Sequence, residues 1–215
     1  IEFILSDKVQ AHPLALINYH RLKDAELKKK IDALTRGYED KREYYIAKLS
    51  EGVARIAAAF YPKEVIVRFS DFKTNEYRNL VGGKDYEPEE PNPMLGFRGA
   101  YRYIHDPEVF KLELEAIKKV RNDLGFKNVW IMLPFVRNVK ELLAVKRIIS
   151  AAGLYRSESF KLWLMVEIPS NVILLDKFIH TGIDGVSIGS NDLTMLMLGT
   201  DRDNSEVAPE FNEQD

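Results

Sequence analysis

Residues 161–192 read KLWLMVEIPSNVILLDKFIHTGIDGVSIGSND, a strand, a helix and a second strand in one run. Lys161 to Ile168 is apolar almost throughout. Pro169 cannot extend a strand ladder, Ser170 is a natural helix cap, and Gly182 suits a helix end. Gly185 to Gly189 (GVSIG) is then a second strand. The same grammar recurs upstream: Val65 to Ser70 (VIVRFS) and Val129 to Pro134 (VWIMLP) are β-branched, strand-length runs. These runs are continuous rather than alternating, as expected of parallel strands covered on both faces. A short fifth strand is expected around Leu95 to Gly99. Between the strands, Asp106-Pro107 opens a helix that Gly125 ends, with Phe110, Leu114, Ile117, Val120 and Leu124 at spacings of three and four. Asn138 with Glu141 reads as a capping box for a helix ending at Gly153. Ala25 to Phe60 is one long helix or two, broken near Gly37. Repeated strand-helix-strand units imply α/β architecture with a parallel sheet. A (β/α)₈ barrel of the TIM type needs eight strands and about 250 residues. About five are expected here, so the chain reads as an incomplete barrel. A doubly wound sheet is the alternative, and periodicity leaves both open.

The 215 residues favour one domain, with 46% hydrophobic residues to build a core. Lys plus Arg number 31 and Asp plus Glu 33, a net charge of −2. That balance gives no general pull toward nucleic acid or an anionic membrane. No apolar run approaches the roughly 20 residues that cross a bilayer. Cysteine is absent, which excludes disulfides and thiolate chemistry within these residues and fits a cytoplasmic setting. Ile1 is not Met, and no basic-then-apolar leader is present, so the chain is expected to be part of a longer one. Val81 to Pro93 (VGGKDYEPEEPNP) is expected to be a long loop within the domain, and Thr200 to Asp215 a polar tail.

Residues suited to chemistry gather at the C-terminal ends of the strands, where α/β folds place their sites. Arg68 closes the first strand with a planar donor fit for phosphate or carboxylate; a structural ion pair with Asp71 is the plainer reading. GFRGAYR carries Arg98 and Arg102, four apart, which suits an anion if both share a helix face; a solvated basic turn is equally open. Glu167 ends the most apolar strand, where a buried carboxylate is costly without a cation. Gly189-Ser190-Asn191-Asp192 follows the last strand. Its amides and the Ser190 hydroxyl suit an oxyanion and Asp192 a hard cation, although a common strand-to-helix turn looks the same. Glu167 and Asp192 on neighbouring parallel strands would stand side by side, as carboxylates that hold Mg²⁺ do. The four histidines show no metal-ligand spacing, and no Ser-His-Asp pattern, Walker loop or dinucleotide fingerprint occurs.

The ordered set VIVRFSDFKTNEY, NPMLGFRGAYRY, IMLPFVRN, MVEIPSN and GVSIGSNDLT, followed by LGTDRD, resembles the C-terminal barrel of the phosphoenolpyruvate-utilising enzymes. SDFKTNEYRNLVGG points to the phosphoenolpyruvate synthase branch rather than to pyruvate phosphate dikinase or the first enzyme of the sugar phosphotransferase system. The resemblance covers essentially the whole chain. It implies a (β/α)₈ barrel that binds pyruvate or phosphoenolpyruvate. In the full enzyme it implies nucleotide and phosphohistidine domains on the same chain, the latter delivering a phosphoryl group to pyruvate enolate, and a homo-oligomer. Position by position, it implies Mg²⁺ on Glu167 and Asp192. It implies the phosphoryl group on Arg68 and Arg98, with Arg102 beside them, and a pocket lined by Gly189, Ser190 and Asn191.

There are departures. Met195 stands where the family has Gln after NDLT. The family's first-strand arginine would precede Ile1, and its cysteine, the proton donor to the enolate, would follow Asp215. The 215 residues alone are therefore expected not to turn over ATP and pyruvate. Two other classes fit more loosely. One is a Mg²⁺-dependent aldolase or lyase barrel, which has less use for so many rim arginines. The other is a non-catalytic oligomerisation module built on residues 25–60.

Overall fold

The computed structural model describes residues 1–214. Strands β1 (Val65–Arg68), β2 (Val129–Leu133), β3 (Leu162–Val166) and β4 (Gly185–Ile188) form one parallel sheet in the order β1-β2-β3-β4. A doubly wound sheet reverses its order at a switch point. Here each strand pairs with its successor in sequence, so the sheet is singly wound, the order that a barrel requires. The register pairs Val67 with Ile131, Ile131 with Leu162, and Leu164 with Val186, which aligns the C-terminal ends along one rim.

Among the described residues there are four strands, not the expected five. Residues 95–99 form no ladder. Pro93–Leu95 is a 3₁₀ turn, and Arg98 is the extended residue that precedes a helix. The reason is local. Pro93 has no N–H to give, and the Phe97 N–H is taken by the Glu90 carboxylate at 3.0 and 3.2 Å.

The helices are α1 (Glu2–Ile4), α2 (Pro13–Ile17), α3 (Ala25–Leu34), α4 (Lys41–Phe60), α5 (Thr74–Arg78), α6 (Gly99–His105), α7 (Pro107–Lys118), α8 (Val139–Ala151), α9 (Pro169–Ile173), α10 (Leu175–His180) and α11 (Ser190–Leu198). The segment 25–60 is two helices. Gly37 turns the chain at φ +89°, and Asp40 caps α4 by accepting from the Arg42 N–H at 2.8 Å. Past α7 the chain widens into π-type turns at Lys119–Asp123, then stops at Gly125 with φ +79°. The helix expected from Ser170 to Gly182 is broken at Leu174, whose backbone (φ −109°, ψ 23°) leaves the helical region.

A continuous core joins α4 (Tyr45, Leu49, Val53), α7 (Phe110, Leu114, Ile117), β2 (Val129, Ile131, Leu133) and α8 (Leu142, Val145, Ile149). Full burial of each such side chain stabilises by about 1.5–3 kcal/mol before chain entropy is counted. On β2 the alternate residues Trp130 and Met132 are half-buried, so the strand alternates where its composition suggested two covered faces. β1 and β4 are the two edge strands of the sheet, and Ile188 on β4 is 72% exposed.

Candidate active site

The four strands deliver their next residues to one rim. Phe69-Ser70-Asp71 follows β1, Pro134-Phe135 follows β2, Glu167 follows β3 and Gly189 follows β4. Asp71, Glu167 and Asp192 each present a carboxylate oxygen there, all within 4.8 Å of one another. Glu167 is buried, and its carboxylate accepts one hydrogen bond among the described residues, from the Phe135 N–H at 2.5 Å. Burial pushes the Glu167 carboxyl up to about 7. Asp71 beside it adds to that rise, and the Phe135 N–H opposes it. Gly189 makes this position possible: a Cβ there would stand 2.7 Å from both Cβ and Oε2 of Glu167.

Arg98 lies within this acidic group, 5% exposed. Its Nε donates to Asp71 Oδ1 at 3.0 Å and its Nη2 to Asp71 Oδ2 at 2.5 Å. Nη2 also donates to Asp192 Oδ2 at 2.7 Å. Burial raises the Asp71 carboxyl, and the arginine fork opposes that rise. The guanidinium stacks 3.9 Å above the Phe135 ring. Phe135 therefore touches Arg98 with its ring and Glu167 with its amide. It does so from a left-handed backbone (φ 46°), a conformation that costs about 1–3 kcal/mol and clusters at functional sites. Gly99 packs against it, and a Cβ there would lie 2.5 Å from the Phe135 Cβ. Asn171 ties the rim together: its Oδ1 accepts from the Glu167 and Ile168 amides, and its Nδ2 donates to Val136 O.

Arg68 stands at the same rim but does not pair with Asp71. Its Nη2 donates to Glu2 Oε1 at 3.1 Å, and Glu2 also accepts from the Asp71 N–H. Arg68 is more exposed than Arg98, and its Nη1 lies 3.6 Å from Met165 Sδ. Ser190, half-buried, opens α11; Asn191 is exposed beside it; Asp192 follows in the first turn. A cleft of about 600 Å³ opens beside Arg98, lined by Lys73, Met94, Leu95, Met195 and Thr200. Met94 Sδ lies 2.9 Å from Arg98 Nη1.

The family described as PEP-utilising enzyme, PEP-binding domain, matches residues 26–215. The chain belongs to this family. It is 50% identical to a phosphoenolpyruvate synthase of Escherichia coli (strain K12) over 217 aligned residues, covering 100% of this chain and 27% of that protein. It is 51% identical to those of Pseudomonas aeruginosa and Deinococcus radiodurans, covering all of this chain and 27% and 28% of theirs. The chain thus spans about a quarter of the length of these relatives.

In this PEP-binding domain the sequence-predicted residues divide. Glu167, Asp192, Gly189, Arg98 and Arg68 converge on the rim, with Ser190 and Asn191 at its edge. Arg102 does not join them. Its fork grips Glu87 at 2.6 and 2.8 Å, and its plane lies between Tyr77 and Phe97. Each arginine of GFRGAYR has its own internal carboxylate, so the pair needs no outside anion to offset repulsion. Met195 is buried on the cleft wall. Sequence reasoning passed over Asp71 except as a partner for Arg68, and passed over Glu2, Phe135 and Asn171 altogether. A signal existed for Asp71: it follows the first strand closely, as Glu167 follows the third.

Proposed function

We propose that this chain is the pyruvate- and phosphoenolpyruvate-binding catalytic part of a phosphoenolpyruvate synthase (pyruvate, water dikinase), within a complete (β/α)₈ barrel. The carrying observation is the convergence of Glu167, Asp192 and Arg98, with Arg68 beside them, at the C-terminal rim of a singly wound parallel sheet. The exposed β4 edge and the much greater length of the relatives support further strands.

The acidic group suits Mg²⁺, since its donors are hard carboxylate oxygens close enough to share one ion. In this reading Glu167 and Asp192 hold the ion, which would polarise the oxygens of bound pyruvate as a Lewis acid. Arg98 and Arg68 orient the phosphoryl group and offset its charge as the nitrogen–phosphorus bond of a phosphohistidine breaks and the oxygen–phosphorus bond forms. Gly189, Ser190 and Asn191 edge the pocket. The phosphohistidine and nucleotide-binding parts belong to the longer chain, and a cytoplasmic homo-oligomer completes the proposal.

Calorimetric titration with phosphoenolpyruvate tests it. Binding is expected with Mg²⁺ present and is expected to fall about 100-fold or more in Glu167→Gln, since a first ligand of the ion is lost. Equal binding with and without Mg²⁺, or by the variant, would sink the reading.

A further inference from the structure

Three carboxylates held within 4.8 Å of one another, two of them buried, repel strongly without a compensating cation. Arg98 supplies that charge, and its contacts are unequal. Asp71 grips it with both oxygens. The Phe135 ring lies under it, and Met94 O and Sδ flank Nη1 at 3.4 and 2.9 Å. Asp192 holds it by one oxygen, through an Nη2 already shared with Asp71. Asp192 is therefore held by one bond where Asp71 has two, and it is also the less buried of the two aspartates.

We propose that Arg98 is the resident counter-ion of the acidic cluster, latched in place by Asp71, and that a divalent cation entering the cluster takes Asp192 away from it. This rests on the reading of Glu167 and Asp192 as cation ligands. It adds that Asp71 is a positioning residue and that guanidinium and cation compete for one oxygen. A dication at Asp192 repels the guanidinium from the shared oxygen while Asp71 and Phe135 keep it nearby. Nη2 then has a free N–H beside the cation, fit for an anionic oxygen. Cation binding in this way prepares Arg98 for a phosphoryl group, so the two ligands help each other.

Binding of Mn²⁺, followed by electron paramagnetic resonance at one fixed, mildly alkaline pH, tests the competition. Arg98→Gln is expected to bind Mn²⁺ about tenfold or more tightly than the unsubstituted protein, because the competing charge is gone. Unchanged or weaker binding would overturn the inference. A second measurement needs no folded Arg98→Gln protein. In ¹⁵N spectra of the unsubstituted protein, the Arg98 guanidinium signals, assigned by their loss in Arg98→Lys, are expected to shift as Mg²⁺ is added. Saturation with Mg²⁺ that leaves those signals in place would also overturn it. If Mn²⁺ binds equally well to Glu167→Gln, the cation site itself falls and this inference with it. If Glu167→Gln loses Mn²⁺ while Arg98→Gln binds no more tightly, only the counter-ion role fails.

Discussion

Gly189 shows how much one missing side chain decides. Its backbone (φ −90°) is open to any residue, so strain does not demand glycine there. Space does: an added methyl group would meet Glu167 Cβ and Oε2 at 2.7 Å. Gly189→Ala is expected to push Glu167 off its position and weaken Mn²⁺ binding by about 10-fold or more. The thermal midpoint should move by a few degrees at most, since no core contact is lost. A wild-type Mn²⁺ affinity in the variant would show that Glu167 has room to spare. Glycine and the acidic residues were legible in SIGSND and MVEIPS as residue types. The contact between them was not, because it depends on the register of β3 with β4, which aligns Val166 with Ile188. Phe135 was less legible still. Nothing in IMLPFVRN marks a left-handed phenylalanine whose ring and amide serve two different site residues.

At the scale of elements, the loop 81–93 and helix α6 explain why Arg98 and Arg102 part. Spacing of four puts two residues on one helix face only if both are helical. Arg98 is not: at φ −148°, ψ 169° it is the extended residue before α6, and its side chain leaves toward Asp71. Arg102 is inside α6 and turns to Glu87, brought in by the loop. Glu87 in turn meets His12 Nε2 at 2.9 Å, and His12 Nδ1 accepts from the Leu14 N–H at 3.2 Å, so Nε2 carries the proton. The His12 pKa is lowered, mainly by burial, which keeps the ring neutral at pH 7. This clasp joins the N-terminal segment, the loop and α6. Glu87→Ala leaves the buried Arg102 charge without its two close carboxylate bonds, with only Asp106 at 3.8 Å as an acidic partner. It is expected to lower unfolding free energy by about 3–5 kcal/mol in urea titrations. A loss below about 1 kcal/mol would mean that water reaches Arg102.

For the whole molecule, two buried glutamates set a pH dependence. Glu113 of α7 is fully buried and accepts from the Ser70 N–H at 3.1 Å and from the Ser70 hydroxyl. Burial pushes its carboxyl up to about 7, with the Ser70 bonds opposing. Glu167 reaches about 7 as well, against 4.5 for an ordinary glutamate. Between those values the folded chain holds protons that the unfolded chain releases. The stability from these two groups is therefore complete below about pH 4.5 and is lost as pH rises through 7. Urea unfolding between pH 5 and 8 should show the unsubstituted protein losing this contribution. Glu113→Gln should flatten the curve by up to about 1.4 kcal/mol per pH unit within that window. An identical slope in the variant would show that Glu113 is ionised throughout.

The sequence by itself determined the alternation of apolar strands with capped helices, the α/β class, and the residue types at the strand ends. Strand periodicity, glycine and proline punctuation, and capping are short-range effects, so they are written in neighbouring residues. Only the tertiary structure decided that the sheet is singly wound, that residues 95–99 form no strand, and that Asp71 rather than Arg102 completes the charged group around Arg98. Those outcomes depend on which carboxylate reaches which guanidinium across 15 to 94 residues of chain. Strand pairing and burial settle that competition, and neither is encoded in the spacing along one segment.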